Sequence, residues 1–576
     1  MKAYIALLTI FMCSPIYGQN EYNITGFQQT MEEFIPKKMK KHHVTGTSVT
    51  IIVDNEVVIN KGFGYSDQQS KTFANEITKY PIGSVSKVVT ATAVLKLYSD
   101  GIIDIDKPYV HYVPDFEMKK HFSGPIKFTV RHLLSHFAGI PRLRAKGFLR
   151  KEYAPLNRLL ENSKEEYLIA PAGKVYQYSD WGTDLLALMV ERVTRTRYEK
   201  YVSENIFTPL GMDHSGFGPV ITNGYVNGKE TKTYEYSYPG SDGVFSTASD
   251  LAKLSTLYFT EKGSYSNGFF RPSVVQEVFT QPFQDAPLAY DEEVGLMWDV
   301  RPLHGFHRVK KAGIHEPFYT YVFFVPEYAS TVVVCSNSNS SSDLHWDIWS
   351  KTFEMLKKRF RLNGGQSPIK KVRDTKRVTL TDDQMRVLEG TYSTDLGILN
   401  LKRRGNKFDV VLGAENRKGV ATAFNDNLLK LSVKMMGIKI PAINIFWDTY
   451  EDEIVVGEQY KSGNRGIGGS KIEEREIPTT WKEAVGSYQV INYDENEYKT
   501  IEKAELFINS FGVLELRVDV NYPNEVQFQL GLSPISDTLA IIPGYNFEFF
   551  GGETIQLLSA GPNSVLKVSG YHLQKK

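Results

Sequence analysis

The sequence predicts a mixed α/β domain followed by an all-β region. Strand-like apolar runs lie near both ends of the first 360 residues, and the segments between them have helical patterning. Beyond residue 378 apolar and polar residues alternate over many short stretches, which is typical of β-strands. These observations indicate one α/β domain large enough to bury most of its apolar surface, with β modules after it.

Within the first domain, Thr47–Val53 and Glu56–Ile59 flank Asp54-Asn55, which predicts a β-hairpin. A second pair of strands is predicted at 322–326 and 331–335. Helical patterning covers residues 84–99, 129–136, 184–199, 247–258 and 348–360. Strands from both ends of the domain are therefore expected to frame a helical middle.

The remaining boundaries follow from composition. Residues 363–378 are rich in Gly, Ser, Pro and basic side chains and are interpreted as a linker. A weak repeat relates Glu389-Gly-Thr-Tyr392 to Val485-Gly-Ser-Tyr488, 96 positions later. It predicts two β modules, 379–476 and 477–576, with one larger β domain as the alternative.

The N-terminus has the composition of an export signal. Lys2 precedes the apolar run Ala3–Met12, which is too short to span a bilayer, and Gly18 offers a small residue for cleavage. We expect removal of residues 1–18, a first domain at 19–362 and a periplasmic or secreted location. Lipoprotein processing at Cys13 is the alternative, although Met12 is bulky for that site. No later segment has the length and apolarity of a membrane helix.

The overall charge excludes some classes of partner. The chain has 67 basic and 66 acidic residues, a balance that attracts neither nucleic acid nor an anionic membrane. Loss of the signal would leave Cys335 without a partner, so no internal disulfide is expected. Cys335 ends the apolar run Thr331–Cys335 and is interpreted as a core residue.

The first chemical signal is Ser84-Val-Ser-Lys87. A serine three residues before a lysine on a helix places both side chains on one face. Such a lysine can activate the serine as a nucleophile. The pattern is weak alone, because Ser84 could simply cap the helix that follows.

Two further motifs strengthen this interpretation. Tyr178-Ser-Asp180 precedes an apolar helical segment, and Lys311-Ala-Gly313 precedes a strand. The order resembles that of the penicillin-recognising serine hydrolases, with S-x-x-K, Y-x-N and K-T-G. Segments 129–141, 206–212 and 240–252 are also similar to the class C β-lactamase branch and to D-aminopeptidase-like members. The resemblance covers roughly residues 25–360.

This resemblance implies a three-layer αβα fold with an antiparallel sheet between helices. It implies that Ser84 forms an acyl-enzyme, with Lys87 and Tyr178 as the proton-transferring partners. The backbone amides of Ser84 and Ile314 would form the oxyanion hole. Substrate would be bound by Asp180, Lys311, Ala312, Gly313 and His315. The β modules resemble the lipocalin-like barrels of some D-aminopeptidase-like relatives.

Two positions depart from the family pattern. Asp180 stands where an asparagine is usual; a carboxylate only accepts hydrogen bonds and can pair with Lys87 and keep it charged. Ala312 replaces the usual threonine or serine, whose hydroxyl commonly helps to bind a substrate carboxylate. Both changes argue against an efficient β-lactamase.

The sequence predicts no metal and no cofactor. His132 and His136 have i, i+4 spacing, but no third ligand accompanies them, and they are interpreted as structural.

We expect an exported serine hydrolase acting on a small molecule or peptide, most simply a peptidase or amidase for substrates that contain D-amino acids. An esterase or β-lactamase of the same family and a weakly catalytic binding protein are the alternatives. The oligomeric state stays open.

Overall fold

The protein is described here from a computed structural model. It describes residues 24–220, 222–231, 233, 235–260, 268–289, 293–303, 305–362, 377–413, 417–425, 427–435, 438–439, 443–450, 453–459, 465–521, 525–545 and 550–576. The signal peptide expected at 1–18 and most of the linker expected at 363–378 lie outside these residues. No helix within them combines the length and apolar composition needed to cross a bilayer.

The N-terminal domain contains ten helices and sixteen strands among the described residues. In chain order they are α1 Ile24–His42, β1 Gly46–Val53, β2 Glu56–Asp67, β3 Thr72–Phe73, β4 Tyr80–Pro81, α2 Ser86–Ser99, β5 Lys119–Lys120, α3 Val130–Leu134, β6 Leu149–Arg150, α4 Arg158–Glu165, β7 Tyr167–Leu168, α5 Asp180–Thr194, α6 Tyr198–Val202, β8 Gly216–Phe217, β9 Gly224–Val226, β10 Lys229–Thr231, β11 Glu235–Tyr236, α7 Pro239–Asp242, β12 Val244–Ser246, α8 Ala248–Thr256, α9 Pro272–Val278, β13 Asp299–Leu303, β14 Phe306–His315, β15 Phe318–Val325, β16 Ser330–Ser336 and α10 Ser342–Arg359.

Strands from the two ends of this domain form one antiparallel sheet. Its order is β13-β14-β15-β16-β1-β2-β3, so β1 lies beside β16 at the centre. The predicted hairpin is present: Asp54 and Asn55 connect β1 to β2 with φ values of 52° and 70°, as a tight primed turn requires. The sheet joins the beginning of the domain to its end, as the sequence predicted.

Helices cover both faces of the sheet and make three layers. Along β16, Val332 and Val334 pack with α1 and α10, whereas Val333 and Cys335 pack with α2 and α8 on the opposite face. Burial on both faces explains why this strand has a continuous apolar sequence instead of an alternating one. Cys335 is fully buried, and burial raises the pKa of its thiol to about 12, which fits a core residue.

The C-terminal region consists of two closed eight-stranded barrels, each preceded by a short helix, and both have the lipocalin-like architecture expected. The first contains α11 Asp382–Leu388, β17 Gly390–Thr394, β18 Gly397–Arg404, β19 Lys407–Leu412, β20 Arg417–Asn425, β21 Leu428–Met435, the added strand β22 Ile438–Lys439, β23 Ile443–Tyr450, β24 Glu453–Gln459 and β25 Arg465–Lys471. The second contains α12 Thr479–Ala484, β26 Gly486–Val490, β27 Ile501–Ile508, β28 Leu514–Val520, β29 Val526–Pro534, β30 Leu539–Ile541, β31 Thr554–Ser559, β32 Val565–Val568 and β33 Tyr571–Lys575.

The weak repeat marks the same position in each barrel. Tyr392 and Tyr488 lie in the first strand, are fully buried, and donate their hydroxyls to the carbonyls of Leu388 and Ala484 in the preceding helix. The repeated Gly-x-Tyr therefore joins a helix to the first strand of its barrel.

The second barrel packs on a loop of the N-terminal domain, residues 142–151, which we call the docking loop. Leu143 and Ala145 belong to the apolar cluster that fills this barrel. The Ala145 amide donates to Ser569 Oγ at 2.8 Å. Glu497 of the barrel accepts from Lys146 and Arg150, each at 2.8 Å. Both apolar and charged side chains of the docking loop therefore bind it to the second barrel.

A second contact joins the same barrel to residues 165–166. Lys567 Nζ lies 3.2 Å from Glu165 Oε2 and 3.5 Å from Glu166 Oε1. Glu553 is buried nearby, and its burial, together with the charge of Glu166, raises the pKa of its carboxyl to about 8. A carboxylic acid that is neutral at pH 7 is thus part of this interface.

Candidate active site

Ser84 and Lys87 meet at the start of α2. Ser84 lies in a single 3₁₀ turn, Gly83–Val85, which Gly83 enters with a φ of +53°. Lys87 Nζ donates to Ser84 Oγ at 2.9 Å and to the Ser241 carbonyl at 3.0 Å. Neither helical segment has a side-chain cap at this point, so the capping alternative for Ser84 is wrong. Ser84 is half-buried and Lys87 is fully buried.

Two carboxylates hold Lys87. Its Nζ lies 2.7 Å from Asp180 Oδ1 and 3.5 Å from Asp242 Oδ2. Burial by itself would lower the pKa of Lys87, but the charges of Asp180 and Asp242 outweigh it and raise that pKa. Lys87 is therefore an ammonium ion at neutral pH, which is the pairing anticipated for Asp180.

Asp242 is a site residue that the sequence analysis missed. It ends α7, and burial first, then the charge of Asp180, raises its pKa to about 7. Asp184 lies behind it and accepts from the Ser241 amide at 2.8 Å and from the Ser241 hydroxyl at 3.0 Å. Segment 240–252 is recognised only by its resemblance to the family, and nothing in its sequence distinguishes Asp242 from other acidic residues.

Tyr178 completes the cluster. Its ring centroid lies 5.1 Å from Lys87 Nζ, and the Ser84 side chain is among the groups that act on the pKa of its phenol. Burial raises the pKa of the phenol, Lys87 opposes that rise, and Asp180 adds to it, with a net increase. The structure thus brings Ser84, Lys87 and Tyr178 together, with Tyr178 as a neutral phenol at pH 7.

The edge of β14 lies beside Ser84. Pairing with β13 ends at Lys310, so residues 311–315 form an open edge on that side. A Cβ on Gly313 would lie 2.0 Å from the Ile82 carbonyl oxygen and 3.0 Å from the Ser84 nitrogen. Only glycine lets the two backbones come this close. The Ser84 and Ile314 amides are therefore neighbours, and their role as the oxyanion hole stays a prediction.

The other residues expected to bind substrate occupy the same edge. Lys311 is buried, and burial followed by the charge of Lys87 lowers its pKa to about 8, against the opposing charge of Asp299. The side chain of Ala312, the next residue, has no polar group beside Lys311. His315 is also buried, and the centre of its ring lies 4.8 Å from that of Tyr236.

The two histidines of the 129–136 segment have structural contacts. His132 Nδ1 accepts from the Thr129 amide at 3.2 Å as part of a helix cap. His136 Nδ1 accepts from the Ser179 amide at 3.2 Å. In the described part of the chain, no group of three His, Cys, Asp or Glu side chains is placed to hold a metal ion.

The N-terminal part of the chain is similar to known proteins. The family model described as Beta-lactamase matches residues 31–349. Protein flp of Staphylococcus aureus (strain N315) is 31% identical over 192 residues, which cover 33% of this chain and 38% of that protein. The putative penicillin-binding protein PbpX of Bacillus subtilis (strain 168) is 30% identical over 229 residues, 38% of this chain and 52% of that protein. The chain thus matches about four-tenths to one-half of the length of these relatives.

Among solved structures, SurE with D-Leu has a TM-score of 0.59 at 17% identity and covers 77% of this chain and all of that one. This shared fold extends beyond the region that the family model matches.

Proposed function

The chain belongs to the beta-lactamase family, and from that premise we propose that it is an exported serine hydrolase that forms an acyl-enzyme on Ser84. The observation that carries the proposal is the hydrogen bond of 2.9 Å from Lys87 Nζ to Oγ of the half-buried Ser84. A buried lysine has no structural need for a serine hydroxyl when two carboxylates already pair with it. Export is supported by the apolar run at residues 3–12.

In the acylation step, Ser84 Oγ would bond to the substrate's carbonyl carbon and lose its proton to the Tyr178–Lys87 pair. The carbonyl oxygen would become an oxyanion facing the amides of Ser84 and Ile314. Such a donor typically contributes about 10²–10³ in rate. The oxyanion would then collapse, and the bond to the leaving group would break as the pair returns the proton to that group. Water would attack the resulting ester, break its bond to Ser84 Oγ and release the acid.

The acylation step depends on the protonation states of Lys87 and Tyr178. Both Lys87 and Tyr178 have raised pKa values, so the form able to accept a proton is a minority at pH 7. The rate of acylation should therefore rise with pH through the neutral range. The ammonium form of Lys87 has a second effect, because its charge stabilises the developing alkoxide of Ser84.

For the substrate, we propose a peptidase or amidase acting on small molecules that contain D-amino acids. The fold shared with SurE, whose crystal structure is described as holding D-Leu, covers 77% of this chain and so extends past the hydrolase domain into the β region. The docking loop, which contacts the second barrel, begins at the residue after Pro141. That residue is hydrogen-bonded to the Asp180 amide, so the barrel lies next to the candidate active site. A barrel in this position limits the size of the substrates that enter.

The test begins with an activity-based fluorophosphonate probe. Wild type should be labelled at Ser84 and Ser84→Ala should not; absence of labelling in a folded wild type would favour a binding protein. Unlabelled wild type and Ser84→Ala are then assayed with D-alanyl anilides, p-nitrophenyl esters and a chromogenic cephalosporin. Turnover of the anilides supports the proposal, whereas turnover of esters or cephalosporin alone assigns the alternatives.

A further inference from the structure

Lys87 cannot accept the proton of Ser84 while it is an ammonium ion. Its Nζ lies 2.9 Å from Ser84 Oγ, 3.0 Å from the Ser241 carbonyl oxygen and 2.7 Å from Asp180 Oδ1. A lysine in this state can take a proton from the serine only if it passes one of its own to a neighbouring base. Among the described residues, Asp180 and Asp242 are the two carboxylates within 4 Å of Nζ, and either could receive that proton.

The two carboxylates differ in how well their surroundings stabilise a negative charge. Asp180 has the ammonium group at 2.7 Å and lies in the first turn of α5, a helix of 15 residues whose N-terminus favours an anion. Asp242 Oδ2 is 3.5 Å from Lys87 Nζ, and no described residue donates a hydrogen bond to its buried Oδ1. A buried carboxylate with an unpaired oxygen is stabilised by taking up a proton. Asp242 is thus the better proton acceptor of the two.

The charges around Asp242 agree with this order. Burial raises its pKa most, the charge of Lys87 lowers it, and the charge of Asp180 raises it again, to about 7. Both oxygens of Asp184 already accept hydrogen bonds from Ser241. The titratable groups around Asp242 are Lys87 on α2, Asp180 and Asp184 on α5, Tyr178, and Arg142 of the docking loop.

The backbone on both sides of Asp242 is fixed against α2. Thr90 Oγ1 donates to the Gly240 carbonyl at 2.6 Å, and the Val244 amide donates to Ser86 Oγ at 3.1 Å. The carboxyl group of Asp242 is therefore held near Lys87 Nζ. Its distance of 3.5 Å is longer than a hydrogen bond, but contacts of this kind commonly shorten when a substrate binds.

We propose that Asp242 receives, through Lys87, the proton that Ser84 loses during acylation. As Ser84 Oγ bonds to the carbonyl carbon, its proton moves to Lys87 Nζ, and Lys87 passes one of its own protons to Asp242 Oδ2. The π electrons of the carbonyl move to its oxygen, which becomes the oxyanion. Asp242 becomes a neutral acid, and Lys87 stays an ammonium ion. When the bond to the leaving group breaks, the proton returns through Lys87 and Tyr178 to that group. This inference rests on the proposed hydrolase function.

The test compares Asp242→Asn with Asp180→Asn, each of which removes one carboxylate from Lys87. The readouts are kcat/KM for a neutral p-nitrophenyl ester and the rate of fluorophosphonate labelling. Both leaving groups depart without a proton, so these rates report the loss of the proton from Ser84. Asp242→Asn should lower both rates at pH 7 by at least about tenfold, whereas Asp180→Asn should raise them. If Asp242 acted only through its charge, its removal would favour neutral Lys87 and raise the rates as well.

The pH profile and a control variant complete this comparison. The wild-type rates should rise through pH 7 as Asp242 ionises, and this rise should be missing in Asp242→Asn. Asp242→Glu, which keeps a carboxyl group, should recover part of the loss. Asp115→Asn removes an exposed carboxylate that pairs with Arg192, and it should change neither rate.

A solvent isotope experiment on wild type depends on no variant. Two protons move together in the proposed step, one from Ser84 to Lys87 and one from Lys87 to Asp242. The value of kcat/KM in mixtures of H₂O and D₂O should therefore follow a curve against the deuterium fraction. In Asp242→Asn, where one proton moves, it should follow a straight line.

The outcomes separate the two proposals. A folded Asp242→Asn that is as active as wild type at pH 7, or more active, would overturn the inference, and so would a straight line for wild type. The hydrolase proposal survives these results if Ser84→Ala abolishes turnover and labelling. Absence of turnover and labelling in wild type would overturn both. Thermal melting identifies a variant that only disturbs folding, and the isotope curve of wild type then decides.

Discussion

Replacing Asp180 by asparagine tests whether the charge around Lys87 sets the activity. The change keeps the size of the side chain but removes the carboxylate 2.7 Å from Lys87 Nζ. At an effective dielectric constant of about 20, a unit charge at that distance is worth about 6 kcal/mol. The charge of Asp180 also raises the pKa values of Tyr178 and Asp242. All three groups should therefore respond.

Asp242 partly compensates the loss. With a pKa of about 7 it is about half ionised at pH 7 in wild type, and it becomes fully ionised when Asp180 is neutral. Half a charge gained at 3.5 Å returns about 2 kcal/mol. The remaining ~4 kcal/mol of lost stabilisation corresponds to a fall of about three units in the pKa of Lys87. This is an upper limit, because the asparagine still accepts a hydrogen bond from Lys87. We therefore expect the pKa of Lys87 to fall by ~1–3 units.

A lower pKa enlarges the fraction of the proton-accepting form at neutral pH. That fraction grows about tenfold for each unit, although a weaker base is also less reactive, so kcat/KM at pH 7 should increase by roughly three- to tenfold per unit. The assay is kcat/KM for a neutral p-nitrophenyl ester from pH 5 to 9, corrected for spontaneous hydrolysis. The rising limb of Asp180→Asn should lie at lower pH than that of wild type.

The matched control is Asp100→Asn, which removes an exposed ion pair with Lys96 at the other end of α2. The pH profile of kcat/KM for Asp100→Asn should coincide with that of wild type. A profile for Asp180→Asn that coincides with wild type, or shifts to higher pH, would refute the role of Asp180 in holding Lys87 charged.

Three other changes have defined outcomes. Gly313→Ala would place a methyl group 2.0 Å from the Ile82 carbonyl oxygen and should slow fluorophosphonate labelling by about 10² or more; labelling at the wild-type rate would exclude close packing of β14 on the nucleophile turn. Glu553 has a folded-state pKa of about 8, above its ordinary 4.5, so its contribution to stability is full below pH 4.5 and is lost as pH rises through 8. Glu553→Gln should then raise the melting temperature relative to wild type at pH 9 more than at pH 5, and equal shifts would contradict this. Glu497→Gln should speed amide hydrogen exchange in the docking loop, since Glu497 holds Lys146; unchanged exchange would show that the apolar contacts suffice.

Local patterns predicted much of the first domain. The hairpin at 54–55 and the continuous apolar strand at 331–335 follow from short-range rules, and the structure contains both. Helix limits were less accurate: α10 begins at Ser342, six residues before the predicted start, because Leu344 and Trp346 are the only apolar residues in the mostly polar segment before Ile348. The i, i+3 spacing was enough to place Ser84 beside Lys87.

Contacts between distant segments could not be obtained in this way. Asp242 reaches Lys87 only because α7 packs on α2, and no pattern around Asp242 records that packing. Tertiary packing alone thus places the residue that was missed at this site.

The charges around Tyr178 explain why the missed Asp242 matters. On the side of Ser84, Lys87 is neutralised by Asp180 and Asp242, so its charge is held inside the protein and adjusts proton transfer. Lys311 Nζ lies 5.4 Å from the centre of the ring, and burial lowers the pKa of this lysine to about 8. If Asp180 were asparagine, as is usual in the family, the site would hold Lys87 less firmly. Because Asp242 gains charge when Asp180 is neutral, the two carboxylates are coupled, and a double variant of Asp180 and Asp242 should not equal the sum of the single variants.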